Sequence, residues 1–254
     1  MNLKEKLINK ELTIGSWLSF GYTPMVEIMA QSGFDWLVID MEHTAINTYD
    51  AFQMIQIISL AGITPLVRVG KNDELLIKRM MDSGAHGVIV PMINTKEEAE
   101  KAVSYVKYPP IGKRGVGLSR AQKYGMGFQE YKEWVDKNSV VIVQIEHIDA
   151  VKNLEDIMSV SGVDGFIVGP YDLSASMGFP GEFENPDVKK ALAKVTSFMN
   201  SSKKPGGYHV VHSNSILLKD KINEGYRFIA YGDDMVFFAE KMEEEKNNFI
   251  KLKQ

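Results

Sequence analysis

One feature constrains this chain more than any other: an alternation of two periodicities that runs almost from end to end. Eight short apolar runs, rich in Val and Ile, stand at Ile14–Phe20, Trp36–Met41, Pro65–Val69, Gly87–Pro91, Val140–Ile145, Gly165–Val168, Gly207–Val211 and Phe228–Tyr231. Most are apolar on both faces, as parallel strands covered by helices must be. Between them the apolar residues recur at helical spacing, over Pro24–Gln31, Thr48–Leu60, Asp73–Asp82, Thr95–Val106, Phe128–Lys137, Asp149–Ser159, Pro186–Met199, Ser213–Asn223 and Asp233–Glu245. The punctuation agrees. Pro24 stands in a first turn, Asn47 or Thr48 offers a cap, and Thr95 with Glu98 spells a capping box. Gly33, Gly62, Gly84, Gly162 and Gly225 fall just past helical stretches, where a left-handed residue ends a helix.

Eight strand–helix units predict an α/β fold, a (β/α)8 TIM barrel forming one domain over residues 1–254. A doubly wound sheet uses the same local signals, but it gathers polar residues at one crevice. Here they recur at the ends of several strands. The connection from Met92 to Ser139 is too long for a loop and one helix. This excursion, residues 93–139, is expected to serve the active site or a subunit contact. The closing EEEKNNFIKLKQ is expected to be partly frayed, with Phe249 and Ile250 able to dock.

Composition removes whole classes of function. There is no Cys, which excludes disulfide scaffolds, thiolate metal sites and cysteine nucleophiles. A net charge of −4 is a poor match to nucleic acid. No apolar run approaches a membrane span and the N-terminus lacks a signal-peptide core, so a cytoplasmic protein is expected.

The chemistry-bearing residues collect where strands end. The second run closes on Asp40-Met41-Glu42-His43, the third carries Arg68, the fifth ends Gln144-Ile145-Glu146, and the sixth runs into Gly169-Pro170-Tyr171-Asp172. On a barrel these ends share one rim. Glu146 and Asp172 both follow strongly apolar runs with no Lys or Arg nearby in sequence. Brought together, two carboxylates need a proton or a cation between them, and an all-oxygen site suits Mg²⁺ or Mn²⁺. Two other readings stand beside that one: each acid caps the next helix, or the pair works as acid and base without metal. Asp40, three residues before His43, is placed to orient its ring as a general base; the alternative is a loop histidine satisfied by a backbone carbonyl. Arg68 is too costly to bury unpaired, so it meets either a barrel carboxylate or an anionic substrate oxygen. Gln144 shares a face with Glu146. His209 and His212 read as structural, with a substrate contact as the alternative. GKRGVG at 112–117 follows two prolines rather than a strand and does not match a dinucleotide fingerprint. No strand interior contains Lys, and Lys71 lies just beyond the third strand, which disfavours an imine-forming aldolase.

At these residues the sequence resembles the HpcH/HpaI aldolase family, the metal-dependent class II pyruvate aldolases. The resemblance rests on GFDWLVIDMEH (33–43), PLVRVG (65–70), GVIVPMINTKEEAEKAV (87–103), YPPIGKRGVG (108–117), VQIEHIDAVKNLEDI (143–157) and GVDGFIVGPYDLSASMG (162–178), within residues 12–240. It implies a barrel of the phosphoenolpyruvate/pyruvate type, and a homo-oligomer (a hexamer built from dimers or trimers) whose C-terminal helix packs on a neighbour. It implies that Glu146 and Asp172 bind a divalent metal (Mg²⁺, Mn²⁺ or Co²⁺) and that Arg68 stabilises an enolate oxygen. It further implies that His43, held by Asp40, is the base for the aldol hydroxyl. Gln144 and the segment Pro170, Tyr171 and Asp172 would contact a 2-oxoacid, and Asp82 would reach the aldehyde side or a neighbouring subunit. The activity implied is reversible cleavage of a 4-hydroxy-2-oxoacid, such as a 2-keto-3-deoxy sugar acid or related diacid, into pyruvate and an aldehyde. The alternatives are an oxaloacetate decarboxylase or phosphoenolpyruvate-dependent lyase on the same site and, more remotely, a non-catalytic barrel. Two stretches depart from the family: Thr-Ala-Ile after His43, and GGYHVVHSNS, which is more polar than usual there.

Overall fold

Eight parallel strands close on themselves in sequence order in the computed structural model, which describes residues 1–253. Gln254, the last residue of the expected tail, lies outside them. The strands are β1 (Thr13–Leu18), β2 (Trp36–Asp40), β3 (Thr64–Arg68), β4 (Gly87–Val90), β5 (Val140–Ile145), β6 (Gly165–Val168), β7 (Gly206–Val210) and β8 (Phe228–Asp233). The helices are α1 (Leu3–Ile8), α2 (Thr23–Ala30), α3 (Thr48–Leu60), α4 (Glu74–Ser83), α5 (Lys96–Val106), α6 (Phe128–Asn138), α7 (Ile148–Lys152), α8 (Leu154–Ser159), α9 (Pro170–Ser176), α10 (Pro186–Ser201), α11 (Ser215–Glu224) and α12 (Asp234–Leu252). Each of the eight apolar runs is a strand. A doubly wound sheet is excluded by the β1–β8 pairing that closes the barrel.

The two-residue period of a strand divides the core into two. Inward residues, among them Trp36, Val38, Leu66, Ile89, Ile142, Ile167, Phe228 and Ala230, fill the barrel. Their sequence neighbours Leu37, Ile39, Val67, Val88, Val141, Val143, Phe166 and Val168 pack outward on the helices. Inside, Trp36 stacks on Phe228 at 4.2 Å, and a Cβ on Gly15 would come within 2.1 Å of the Trp36 ring. Gly15 is therefore a space requirement of the closed barrel. Gly15→Ala is expected to lower stability by about 3 kcal/mol, since overpacking a rigid core displaces both side chain and strand. A denaturant titration checks this, and an unchanged midpoint would contradict it.

Caps set the helix ends as their sequences specify. Asn47 and Thr95 form capping boxes with Asp50 and Glu98, and Asp73 caps α4. Gly84 and Gly225 end α4 and α11 in the left-handed region. Four features differ from the sequence reading. α1 is an additional helix, capped by Asn2 with Glu5, and its Leu3 and Leu7 join the inner core from below. α9 is also additional. The expected helix Asp149–Ser159 is broken at Asn153, whose side chain donates to Asn94 O at 2.8 Å. The tail is helical to Leu252, sustained by Lys241 pairing with both Glu244 and Glu245 at 2.8 Å.

The excursion lies at the end of the barrel away from the strand C-termini, because α5 has already returned the chain there. Arg114 anchors it. This fully buried guanidinium donates to Val106 O (3.0 Å), Tyr108 Oη (2.7 Å) and Tyr131 Oη (3.0 Å), and pairs with Asp82 at 3.3 Å. Ser119 and Arg120 bond the last carbonyls of α4, those of Asp82 and Ser83. The Gly-rich GKRGVG thus supplies a structural arginine, held by Val106, Tyr108, Tyr131 and Asp82. The excursion leaves Ile111, Val116, Leu118 and Met126 exposed, and α12 leaves Met235, Phe238, Met242 and Phe249 exposed. No helix among the described residues is long and apolar enough to cross a membrane.

Candidate active site

The C-terminal strand ends surround a cavity of about 530 Å³ lined by Trp17, Arg68, Gln144, Gly169–Asp172 and His209, among others. Arg68 organises it. Asp40 and Arg68 are register partners on β2 and β3. Arg68 Nε and Nη2 donate to the two oxygens of Asp40 at 2.9 and 2.7 Å, a bidentate pair. The guanidinium also lies 4.4 Å above the Trp17 ring. Its remaining arm, Nη1, is 3.2 Å from Glu42 Oε2. Burial disfavours charge on Asp40, but the hydrogen bonds and charge of Arg68 and the N–H groups of Glu42 and His43 outweigh it and lower its pKa.

This pairing corrects one expectation. The Asp40 carboxylate does not hold the His43 ring, because Arg68 occupies both its oxygens. The ring stands at the rim with its side chain 62% exposed, 3.7 Å from Glu42 Oε2. Glu42, between the two residues singled out from sequence, is the group that faces both Arg68 and His43. Burial raises its carboxyl to about 7, with Asp40 and Asp172 adding to the effect and Arg68 opposing it.

Glu146 is buried just beyond β5. Its Oε1 accepts from Met92 N–H at 2.7 Å, and its other oxygen accepts from Gln144 Nε2. Met92 holds φ at 52°, a left-handed conformation that costs a non-glycine residue about 1 kcal/mol. That turn of the backbone directs its N–H at Glu146. Gly169 closes the other side, where a Cβ would lie 3.0 Å from Glu146 Cβ. Burial raises Glu146 to about 7, and the charges of Glu42 and Asp172 push the same way. The capping alternative fails for Glu146, since the next helix, α7, is capped by His147 accepting from Asp149 N–H. Asp172 does lie in the first turn of its helix, α9, where it lines the cavity.

Four carboxylates, Asp40, Glu42, Glu146 and Asp172, thus gather around Arg68, which Asp40 already claims. The deficit of positive charge is met by protons or by a cation. An all-oxygen set fits a hard divalent ion. No group of three His, Asp or Glu among the described residues forms a ready metal cluster. Mg²⁺ does not need one, since it is commonly held by one or two carboxylates with water and substrate oxygens completing its shell. Gln144 Oε1 is a further buried acceptor without a partner.

The other expected residues separate. Asp82, at the C-terminal end of α4, is at the opposite end of the barrel from this rim, paired with Arg114. His212 lines the cavity from beyond the end of β7, with Nδ1 2.9 Å from Glu240 Oε1. Lys71 is exposed. Lys221 lines the cavity from α11, but pairs with Glu224 at 2.8 Å and lies over the Tyr208 ring at 4.6 Å, outside the strand layer. The sequence reading gave no role to Trp17, Glu42 or Met92. Inward spacing two residues from Gly15 marks Trp17, and nothing in sequence marks the Met92 backbone.

A (β/α)8 barrel with a carboxylate and arginine rim defines a class of enzymes, and comparison with known proteins narrows it. The model of the HpcH/HpaI aldolase/citrate lyase family matches residues 13–240, and the chain belongs to that family. It is 34% identical to the 2-keto-3-deoxy-L-rhamnonate aldolase of Escherichia coli (strain K12) over 243 residues, 95% of this chain and 90% of that one. It is 37% identical to the hydroxypyruvate/pyruvate aldolase of Sagittula stellata over 218 residues, 85% of each. A crystal structure of a family member from Burkholderia cenocepacia J2315 superposes with a TM-score of 0.91 at 32% identity, covering 97% of this chain and 98% of that one. The chain is an aldolase-type carbon–carbon lyase.

Proposed function

We propose that this enzyme cleaves a 4-hydroxy-2-oxoacid, of the 2-keto-3-deoxy sugar acid kind, reversibly into a pyruvate-type oxoacid and an aldehyde. The carrying observation is that Glu42, Glu146 and Asp172 lie close enough to raise one another's protonation, beside the paired Arg68, where Arg68, Gln144 and Asp172 line one cavity. Glu146 and Asp172 would hold a divalent ion, Mg²⁺, Mn²⁺ or Co²⁺. Bound there, the ion supplies charge stabilisation to the carboxylate and keto oxygens of the substrate. Met92 N–H and Gln144 fix the Glu146 carboxylate so that it does not rotate away.

The chain's own residues then account for the proton and charge movements. His43, at the rim, takes the proton from the C4 hydroxyl. The C4–O electrons form the aldehyde carbonyl as the C3–C4 bond breaks, and its pair becomes the C2–C3 double bond of the enolate. Arg68, immobilised by Asp40 and Trp17, faces the enolate oxygen as negative charge grows there. Protonation at C3 releases the oxoacid, and Gln144 with the Pro170–Asp172 turn contacts its carboxylate end. Asp82, remote from its own rim, serves a neighbouring subunit in a homo-oligomer that covers the apolar faces of α12 and the excursion.

Pyruvate-type product released from a panel of 4-hydroxy-2-oxoacids, with Mn²⁺ and with EDTA, tests the reading. Metal-dependent release supports it, and release that survives complete metal removal overturns it. A pH dependence follows from Glu146. Its carboxyl is raised to about 7, so below that pH a proton competes with the cation. Affinity for Mg²⁺ is expected to fall by about tenfold per unit between pH 7 and pH 5, as calorimetry would measure. A flat profile would contradict it.

A further inference from the structure

A second cavity, of about 480 Å³, lies at the opposite end of the barrel from the carboxylate rim, between the end of α4 and the excursion. Its volume falls in the range of small-molecule sites. Much of its wall is aromatic. Trp134 stacks on Tyr131, with ring centroids 5.7 Å and planes 11° apart, and His86 leans against Trp134 at 4.8 Å. Tyr124 also lines it and is 68% exposed. The side chains leave one positive charge uncompensated. Lys123 is met by Glu130 at 2.7 Å. Burial, reinforced by the charge of Arg120, pushes His86 down to about 4, so its ring is neutral. Arg120 remains, and no carboxylate is among the groups that act on its charge. Its Nη1 donates to Ser83 O at 3.1 Å, and the half-buried guanidinium lines the cavity. Gly84 makes room for it, since a Cβ there would come within 2.3 Å of Nη1. Lys123 and Tyr124 hold φ at 52° and 55°, ahead of Gly125 at 96°. Side chains rarely adopt such left-handed conformations, which concentrate where ligands are clamped.

We infer that this cavity is a binding site for a planar aromatic monocarboxylate, separate from the oxoacid site. The ring lies against the wall of Trp134 and His86, and the carboxylate takes the fork of Arg120. Each requirement follows from the lining. Aromatic side chains reward a flat partner through offset and edge contacts that a puckered ring does not make. One uncompensated cation calls for one negative charge. A guanidinium with an arm tied to Ser83 O presents the rest of a planar fork, which matches a carboxylate and not merely its charge. The wall is also preformed, which limits the ordering cost of binding. The backbone of His86 is fixed on both sides, its N–H donating to Pro65 O at 2.8 Å and its carbonyl accepting from Val140 N–H at 3.0 Å. Tyr131 Oη, behind Trp134, donates to Met81 O at 3.0 Å. None of these side chains takes part in the rim chemistry, so the site stands whether or not the aldolase reading does.

The test is calorimetry on the intact protein with 2-naphthoate, its uncharged analogue 2-naphthamide and its puckered analogue decalin-2-carboxylate, using wild type, Arg120→Lys and Trp134→Leu. The wild type is expected to bind one 2-naphthoate per chain, about tenfold or more tighter than either analogue. Arg120→Lys, which keeps the charge and loses the fork, and Trp134→Leu, which keeps an apolar wall and loses the ring, are each expected to weaken 2-naphthoate by about tenfold. Both variants are expected to keep the lyase activity of the wild type, which shows that the barrel is folded. Saturating pyruvate with Mg²⁺ is expected to leave the affinity for 2-naphthoate unchanged, which separates this site from the rim. Absence of saturable binding by the wild type, equal affinity for 2-naphthamide, an unchanged affinity in either variant, or displacement by pyruvate overturns the proposal.

Discussion

Glu146→Gln is expected to reduce oxoacid release by about 10³-fold while the barrel remains folded. The substitution is nearly isosteric and its effect is electrostatic. It deletes one of the two carboxylates assigned to the cation, and with it the several kcal/mol that a held divalent ion contributes to a developing enolate. The fold has reason to survive. The amide oxygen still accepts from Met92 N–H, and Gln144 can turn its unpartnered Oε1 toward the new amide N–H. Activity and calorimetry with Mg²⁺ check the two halves separately. A variant that binds metal and turns over within about tenfold of wild type would show that Glu146 is not a metal ligand.

Arg68→Lys should cost about 10²- to 10³-fold, chiefly in kcat. Charge is conserved, so a role in general attraction would leave the rate nearly intact. What is lost is geometry. The guanidinium makes two parallel bonds to Asp40 at 2.9 and 2.7 Å, lies flat on Trp17 at 4.4 Å, and still points a third arm into the cavity. An ammonium does one of these at a time. An interaction made with charge that appears only along the reaction path falls on kcat rather than KM. A loss confined to KM would assign Arg68 to substrate capture.

The fold was legible because each strand satisfies two requirements at once. Runs such as Val140–Ile145 are apolar on both faces, and only an interior sheet between a filled barrel and a helical layer asks for that. The helices were legible where a cap was spelled out, as at Thr95 with Glu98. α9 escaped because Pro-Tyr-Asp-Leu-Ser reads as a turn, and its helix is fixed by the loop it closes. The helix over Asp233–Glu245 was legible, but its continuation to Leu252 was not, because charge pairs such as Lys246 with Glu243, rather than apolar periodicity, lead into those last turns. At the rim, the residue types and their strand-end positions were visible, and their partnerships were not. Asp40 lies three residues from His43 in sequence, yet Arg68, a register partner on the next strand, takes its carboxylate. Asp82 is remote from its own rim for a similar reason, since a helix that follows one strand end runs back to the other face of the barrel. Strand register and helix direction decide these matters, and sequence distance does not report either.

The central claim, that this site forms an enolate from a 2-oxoacid, does not depend on which aldehyde is used. It is tested most directly by proton exchange at C3 of pyruvate and of hydroxypyruvate in D₂O, followed by ¹H NMR with the Mg²⁺-loaded enzyme and no aldehyde present. The expected result is loss of the C3 signal at a rate proportional to enzyme, abolished by EDTA and by Glu146→Gln. Retention of the C3 protons of both oxoacids over many enzyme equivalents, with metal and oxoacid demonstrably bound, would contradict it.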